Sequence, residues 1–167
     1  MKIIIPEIPK EGLDVEIQET IESDSVPLPT PIRSRLRIEK LGTEIVVKGD
    51  LTADVKLQCS RCLKEFHRAL SVPISAVYHP VEELKGRDHH EIAAEELNMD
   101  FYSGEELDLL SLLKEQITLN ITMKPLCDDL CKGICPGCGA DLNIETCKCD
   151  IKNVDTRFAK LRKLLKE

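Results

Sequence analysis

The chain has 167 residues, 8 of them cysteine, and a formal net charge of −7. That length suits one domain or two small lobes with a modest core, and the acidic balance argues against indiscriminate attraction to nucleic acid. No apolar run reaches membrane-span length, and the opening Met1-Lys2-Ile3-Ile4-Ile5-Pro6 lacks a signal-peptide h-region, so the expectation is a cytoplasmic protein with reduced cysteines.

Residues 2–8 and 13–19 read as short strands punctuated by Pro6, Pro9 and Gly12. Pro27, Pro29 and Pro31 make 22–31 a loop. From Ile32 the alternation is clean: Ile32, Ser34, Leu36 and Ile38 on one face, Arg33, Arg35, Arg37 and Glu39 on the other. Gly42-Thr43 is a two-residue hairpin turn with glycine first. The return strand puts Val47, Gly49, Leu51, Ala53, Val55 and Leu57 on its apolar face and runs into Cys59-Ser60-Arg61-Cys62. A third strand leaves that tip with Phe66, Leu70, Val72, Ile74, Ala76 and Tyr78 on one side.

Residues 80–98 are polar and acidic and read as an insertion; His89 and His90, side by side within it, are expected to be solvated rather than ligands. Phe101-Tyr102 suggests a short strand. Ser103-x-x-Glu106 has the form of a capping box, and Leu110, Leu113 and Ile117 give the following helix an apolar face. Pro125 ends that helical stretch. The last segment reads as a short amphipathic helix, apolar through Phe158, Leu161 and Leu165 and basic through Arg157, Lys160, Lys163 and Lys166. The fold class is therefore α+β: an antiparallel sheet, a packed helix and a Cys-rich, zinc-binding C-terminal lobe. The division expected is 1–126, a β-rich domain carrying the hairpin tip and one helix, and 127–167, the Cys-rich lobe with the basic helix.

The cysteines carry the chemistry. Cys59 and Cys62 form one C-x2-C; Cys127, Cys131, Cys135, Cys138, Cys147 and Cys149 crowd into one later stretch. Tetrahedral zinc takes four thiolates, so eight make two full sets and two ions are expected. Glycines in Cys135-Pro136-Gly137-Cys138-Gly139 permit the tight wrap that such a turn needs. A disulfide framework would also give an even count, but it belongs to oxidising compartments. Cys131, Cys135 and Cys138 also show the C-x3-C-x2-C spacing of radical-SAM iron–sulfur sites, yet only 29 residues follow Cys138, too few for the barrel that those enzymes need. Two pairings are open. Cys135, Cys138, Cys147 and Cys149 can close locally, leaving Cys59, Cys62, Cys127 and Cys131; alternatively Cys59 and Cys62 join Cys135 and Cys138 as in a zinc ribbon. Chain entropy favours local closure.

A strand ending Leu57-Gln58-Cys59-Ser60-Arg61-Cys62-Leu63, an acidic insertion, and a helix Leu107-Asp108-Leu109-Leu110-Ser111-Leu112-Leu113-Lys114-Glu115-Gln116-Ile117 occur in that order. Pro125-Leu126-Cys127, Cys131-Lys132-Gly133-Ile134-Cys135-Pro136-Gly137-Cys138-Gly139-Ala140-Asp141-Leu142-Asn143 and Cys147-x-Cys149 follow. Together these resemble the YceD family of large-ribosomal-RNA-subunit accumulation proteins, from about Ile32 onward. The resemblance implies a non-enzymatic ribosome-assembly factor whose partner is large-subunit rRNA, a large-subunit ribosomal protein, or both, with no membrane and no small-molecule substrate. It brings no catalytic residue. A thiol redox or chaperone-type zinc protein is the alternative, for which Arg61 and Lys64 beside Cys62 are the only hint.

With the turn at Gly42-Thr43, Leu41 should lie opposite Glu44, Arg37 opposite Lys48, Arg35 opposite Asp50 and Arg33 opposite Thr52. A like-charge pair such as Arg37 and Lys48 destabilises a sheet, and a phosphate would relieve it. Arg33, Arg35, Arg37, Lys48 and Lys56 are thus the candidate RNA-contacting residues; a solvated, ion-paired face is the competing reading.

Overall fold

A computed structural model describes residues 1–21, 27–81 and 99–149. The acidic insertion, with His89 and His90, lies almost wholly outside the described residues, and the C-terminal amphipathic helix lies wholly outside them. The chain forms two compact units, Met1–Leu57 with Glu65–Pro125, and Gln58–Lys64 with Leu126–Glu167. The hairpin tip thus groups with the C-terminal cysteines rather than with the strands that lead into it. Thiols from the tip and from the C-terminal segment gather at one place.

In the first unit, β1 (Lys2–Ile4), β2 (Leu13–Glu19), β3 (Ile32–Leu41), β4 (Glu44–Gln58), β5 (Glu65–Pro80), β6 (Met99–Tyr102) and β7 (Glu106–Asp108) precede the helix α1 (Leu109–Asn120). Five of the strands form one sheet in the order β2-β3-β4-β5-β6, while β1 and β7 pair as a separate ribbon. The expected register of β3 on β4 is present, with Leu41 opposite Glu44, Arg37 opposite Lys48, Arg35 opposite Asp50 and Arg33 opposite Thr52. Opposite Leu36 stands Gly49, where a Cβ would overlap the Arg35 carbonyl oxygen; only glycine fits.

Three expectations change. The sheet is mixed, since β6 runs parallel to β5 with Val77 opposite Met99. A parallel neighbour needs a crossover of a dozen or more residues, and the chain between Pro80 and Met99 is long enough to provide one. The first strand stops at Ile4, because Pro6 seats a single 3-10 turn over Ile5–Glu7. The capping box does not form. Glu106 lies in β7 opposite Ile4, and Ile5 N–H donates to the Glu105 carbonyl at 2.8 Å. Asp108 caps α1 instead, its Oδ1 accepting the Leu110 N–H at 3.1 Å.

The buried stripe of α1 is accordingly Leu109, Leu112, Leu113 and Ile117, with Leu110 only partly covered. It packs toward β5 and β1. The sheet contributes Ile32, Leu36, Ile38, Ile45, Val47, Leu51, Val55, Val72 and Ile74, so the alternation read from the sequence does place the core on one sheet face. Each such side chain contributes about 1.5–3 kcal/mol on full burial.

Candidate metal centres

The second unit holds all eight cysteines. Two Cys-x2-Cys turns organise it, built on one hydrogen-bonding pattern. In the first, Leu63 N–H donates to the Cys59 carbonyl at 2.9 Å and Cys59 N–H to the Lys64 carbonyl at 2.9 Å. In the second, Gly139 N–H donates to the Cys135 carbonyl at 2.8 Å and Cys135 N–H to the Ala140 carbonyl at 2.8 Å. Such turns fold both sulfurs to one side and aim backbone N–H groups at them.

The sulfurs gather as Cys59, Cys62, Cys127 and Cys131, and as Cys135, Cys138, Cys147 and Cys149, each set within 4.8 Å. Local closure therefore prevails over the ribbon pairing. Cys59 and Cys131 Sγ are 3.8 Å apart and Cys62 and Cys127 Sγ 3.6 Å. In the second set, Cys138 and Cys135 each approach Cys147, at 3.4 and 3.3 Å. Zinc–sulfur bonds of about 2.3 Å place tetrahedral sulfurs about 3.8 Å apart, whereas a disulfide needs about 2.05 Å. All eight cysteines are unbridged. The donor set fits a tetrahedral cation in both places.

Electrostatics point the same way. Without a cation the thiols of a set cannot all ionise. The N–H of Cys62 draws the Cys59 thiol down to about 6, and those of Cys138 and Gly137 do the same for Cys135. The Cys62 sulfur, then burial, pushes Cys127 up to about 12; the Cys147 and Cys138 sulfurs push Cys149 up to about 12. A dication among them removes that repulsion and lets four thiolates coexist. The sets differ in cover: Cys59, Cys62 and Cys131 are buried in the first, while in the second only Cys135 is.

Other side chains brace this unit, and sequence reasoning assigned them no such part. Arg61 Nη1 donates to the carbonyls of Cys131 at 2.8 Å and Asp129 at 3.1 Å. Lys64 Nζ pairs with Asp141 Oδ2 at 2.6 Å. The two cations that hinted at redox chemistry thus have structural partners. Gly133, at φ 77°, lies against the Arg61 carbonyl, which a Cβ would meet at 2.9 Å. The Asp-x-Asn between the two cysteine pairs was the available signal, since such residues build tight turns.

The five candidate RNA-contacting residues lie on the outer face of the sheet in the first unit, and three of them are paired. Arg37 donates to Asp14 at 3.0 Å, to Glu39 at 2.8 Å and to the Glu11 carbonyl at 2.7 Å. Arg35 pairs with Glu16 at 3.2 Å and Lys56 with Glu65 at 2.6 Å. Arg33 and Lys48 make no ion pair among the described residues. Asp14 of β2 and Glu39 of β3 give Arg37 the relief that a phosphate would otherwise supply.

A family model described as Large ribosomal RNA subunit accumulation protein YceD matches residues 47–165. The chain belongs to the YceD family. The match takes in both Cys-x2-Cys turns, α1 and every candidate metal ligand. The YceD chain is also 24% identical over 142 residues to a protein of Mycobacterium leprae, covering 84% of this chain and 59% of the relative. It thus spans under two thirds of that protein's length. YlbN of Bacillus subtilis is 24% identical over 169 residues, covering 96% of this chain and 92% of YlbN. An Arabidopsis thaliana protein, named as chloroplastic large ribosomal RNA subunit accumulation protein YCED homolog 1, is 36% identical over 59 residues, 35% of this chain and 18% of its own. No solved structure matches. Among the described residues, no helix is long and apolar enough to cross a membrane.

Proposed function

We propose that this YceD chain is a non-enzymatic, cytoplasmic ribosome-assembly factor that supports accumulation of large-subunit rRNA. Two zinc ions, held by Cys59, Cys62, Cys127 and Cys131 and by Cys135, Cys138, Cys147 and Cys149, give its second unit a fixed shape. Its partner is large-subunit rRNA, a large-subunit ribosomal protein, or both. The observation that carries this reading, beside family membership, is saturation: each set offers four sulfurs to one ion. A catalytic zinc keeps one position for water or substrate, whereas four thiolates close the site. Of the outer-face cations, Arg33 and Lys48 are those whose charge is not already spent on a carboxylate among the described residues, so a phosphate meeting that face would fall to them.

The test is the ratio of large- to small-subunit rRNA in cells lacking the protein. Re-expression of the wild-type chain should restore it, and a Cys59→Ser/Cys62→Ser variant present at equal level should not. An unchanged ratio in cells lacking the protein contradicts the reading. Crosslinking from the complemented cells, scored for large-subunit rRNA against ribosomal proteins, then identifies the partner. Release of zinc by mild oxidant with a matching gain of activity would support a thiol redox role instead.

A further inference from the structure

The loop between Cys138 and Cys147 belongs to the second cysteine set, yet it reaches the first. Asn143 Nδ2 donates to the Cys131 Sγ at 3.5 Å and to Asp141 Oδ1 at 2.7 Å, while its Oδ1 accepts the Lys132 N–H at 2.7 Å. The orientation of this amide is fixed from both ends: the atom facing a backbone N–H must be an acceptor, and the one facing a carboxylate must be a donor. Asp141 is held in turn by the Asn143 N–H at 2.9 Å and by Lys64, the residue just beyond the first Cys-x2-Cys turn. Two side chains of one loop therefore bind the surroundings of the other set.

A zinc ion with four thiolates keeps a net charge of −2, so its sulfurs gain from N–H donors that are already aimed at them. Outer groups of this kind orient ligands and tune affinity. Here the donor to buried Cys131 is carried by a segment whose shape depends on the other cysteine set. We propose that Asn143 is a positioning residue that couples the two metal centres. Filling the Cys135, Cys138, Cys147 and Cys149 set fixes the loop, aims the Asn143 amide at Cys131 and raises the affinity of the Cys59, Cys62, Cys127 and Cys131 set. Linkage makes the effect reciprocal in affinity. The inference rests on the reading of both sets as zinc centres.

The experiment is zinc competition against a chromophoric chelator on the full chain, with 113-cadmium NMR as the second readout. Asn143→Ala should weaken the first set for zinc by about 10–100-fold. Cys138→Ser should weaken it as well, and adding Asn143→Ala to Cys138→Ser should bring little further loss, since both act through one hydrogen bond. Asn143→Asp keeps the acceptor for Lys132 N–H but removes the donor. It should move the cadmium resonance that Cys62→Ser abolishes and leave the other in place, which a loop-shaping role alone would not do. Two zinc ions bound with first-set affinity and resonance unaltered in both Asn143 variants would overturn the coupling alone. A wild-type chain that binds no zinc at either set would overturn the zinc reading itself, and the coupling with it.

Discussion

Leu63, at φ 60°, and Gly139, at φ 76°, occupy the same place in two copies of one turn: each follows the second cysteine of a Cys-x2-Cys. Leu63 is the one non-glycine residue with positive φ among those described. A left-handed backbone costs a residue with a Cβ about 1–2 kcal/mol. Gly139→Ala should therefore lower the stability of the metallated protein by about 1 kcal/mol. Gly133→Ala should lower it more, since its Cβ would also press on the Arg61 carbonyl. Denaturant unfolding of the metal-loaded chain reads both, and a Gly139→Ala protein as stable as the parent would show that the turn tolerates the strain.

Gly49→Ala should open the β3–β4 hairpin. The new methyl would overlap backbone of β3 rather than the end of a flexible side chain, so the strands must part. The expected loss is at least about 3 kcal/mol, the upper end for overpacking. A urea midpoint close to that of the parent would mean that the register shifts without penalty.

Chelation should dismantle the second unit and spare the first. Structural zinc carries about 10–16 kcal/mol of apparent binding free energy in small zinc peptides, while the first unit has its own apolar core of sheet and α1. Hydrogen exchange after metal removal should show protection gone at Cys131, Cys135 and Gly139 and retained in β3, β4 and α1. Simultaneous loss in both units would contradict this.

Replacing Arg33, Arg35 and Arg37 by Ala should leave folding nearly unchanged, because surface ion pairs contribute about 0–1 kcal/mol each. If this face meets rRNA phosphates, binding weakens across sequences and the salt slope falls by roughly 0.7–0.9 for each phosphate no longer neutralised. Arg33→Ala should account for most of that change, since Arg35 and Arg37 are engaged by Glu16 and Asp14. An unaltered slope and affinity would leave a protein surface as the partner.

Local pattern carried much of this molecule. The alternation from Ile32 to Leu57, broken only at Gly42-Thr43, was enough to place the core face and the register, because a two-residue turn leaves no slack. Loop closure was enough to anticipate how the sulfurs divide. What escaped depends on neighbours distant in sequence. β2 borders β3, and only that puts Asp14 against Arg37. β7 forms because Lys2 to Ile4 pair with it, with Met1 and Ile5 bonded to the residues that flank it, which overrode the capping box at Ser103. Asn143 gives no sign, in sequence, that it reaches Cys131. Each is a tertiary partner, invisible to periodicity.

The most direct test is elemental analysis of the purified chain beside Cys62→Ser and Cys138→Ser. Two zinc ions are expected in the wild type and one in each variant. Cys138→Ser should lose the ion of the second set and keep the knuckle of Cys59 and Cys62 metallated, though more weakly. One metal in the wild type, iron in place of zinc, or loss of metal from Cys59 and Cys62 on Cys138→Ser would contradict the account.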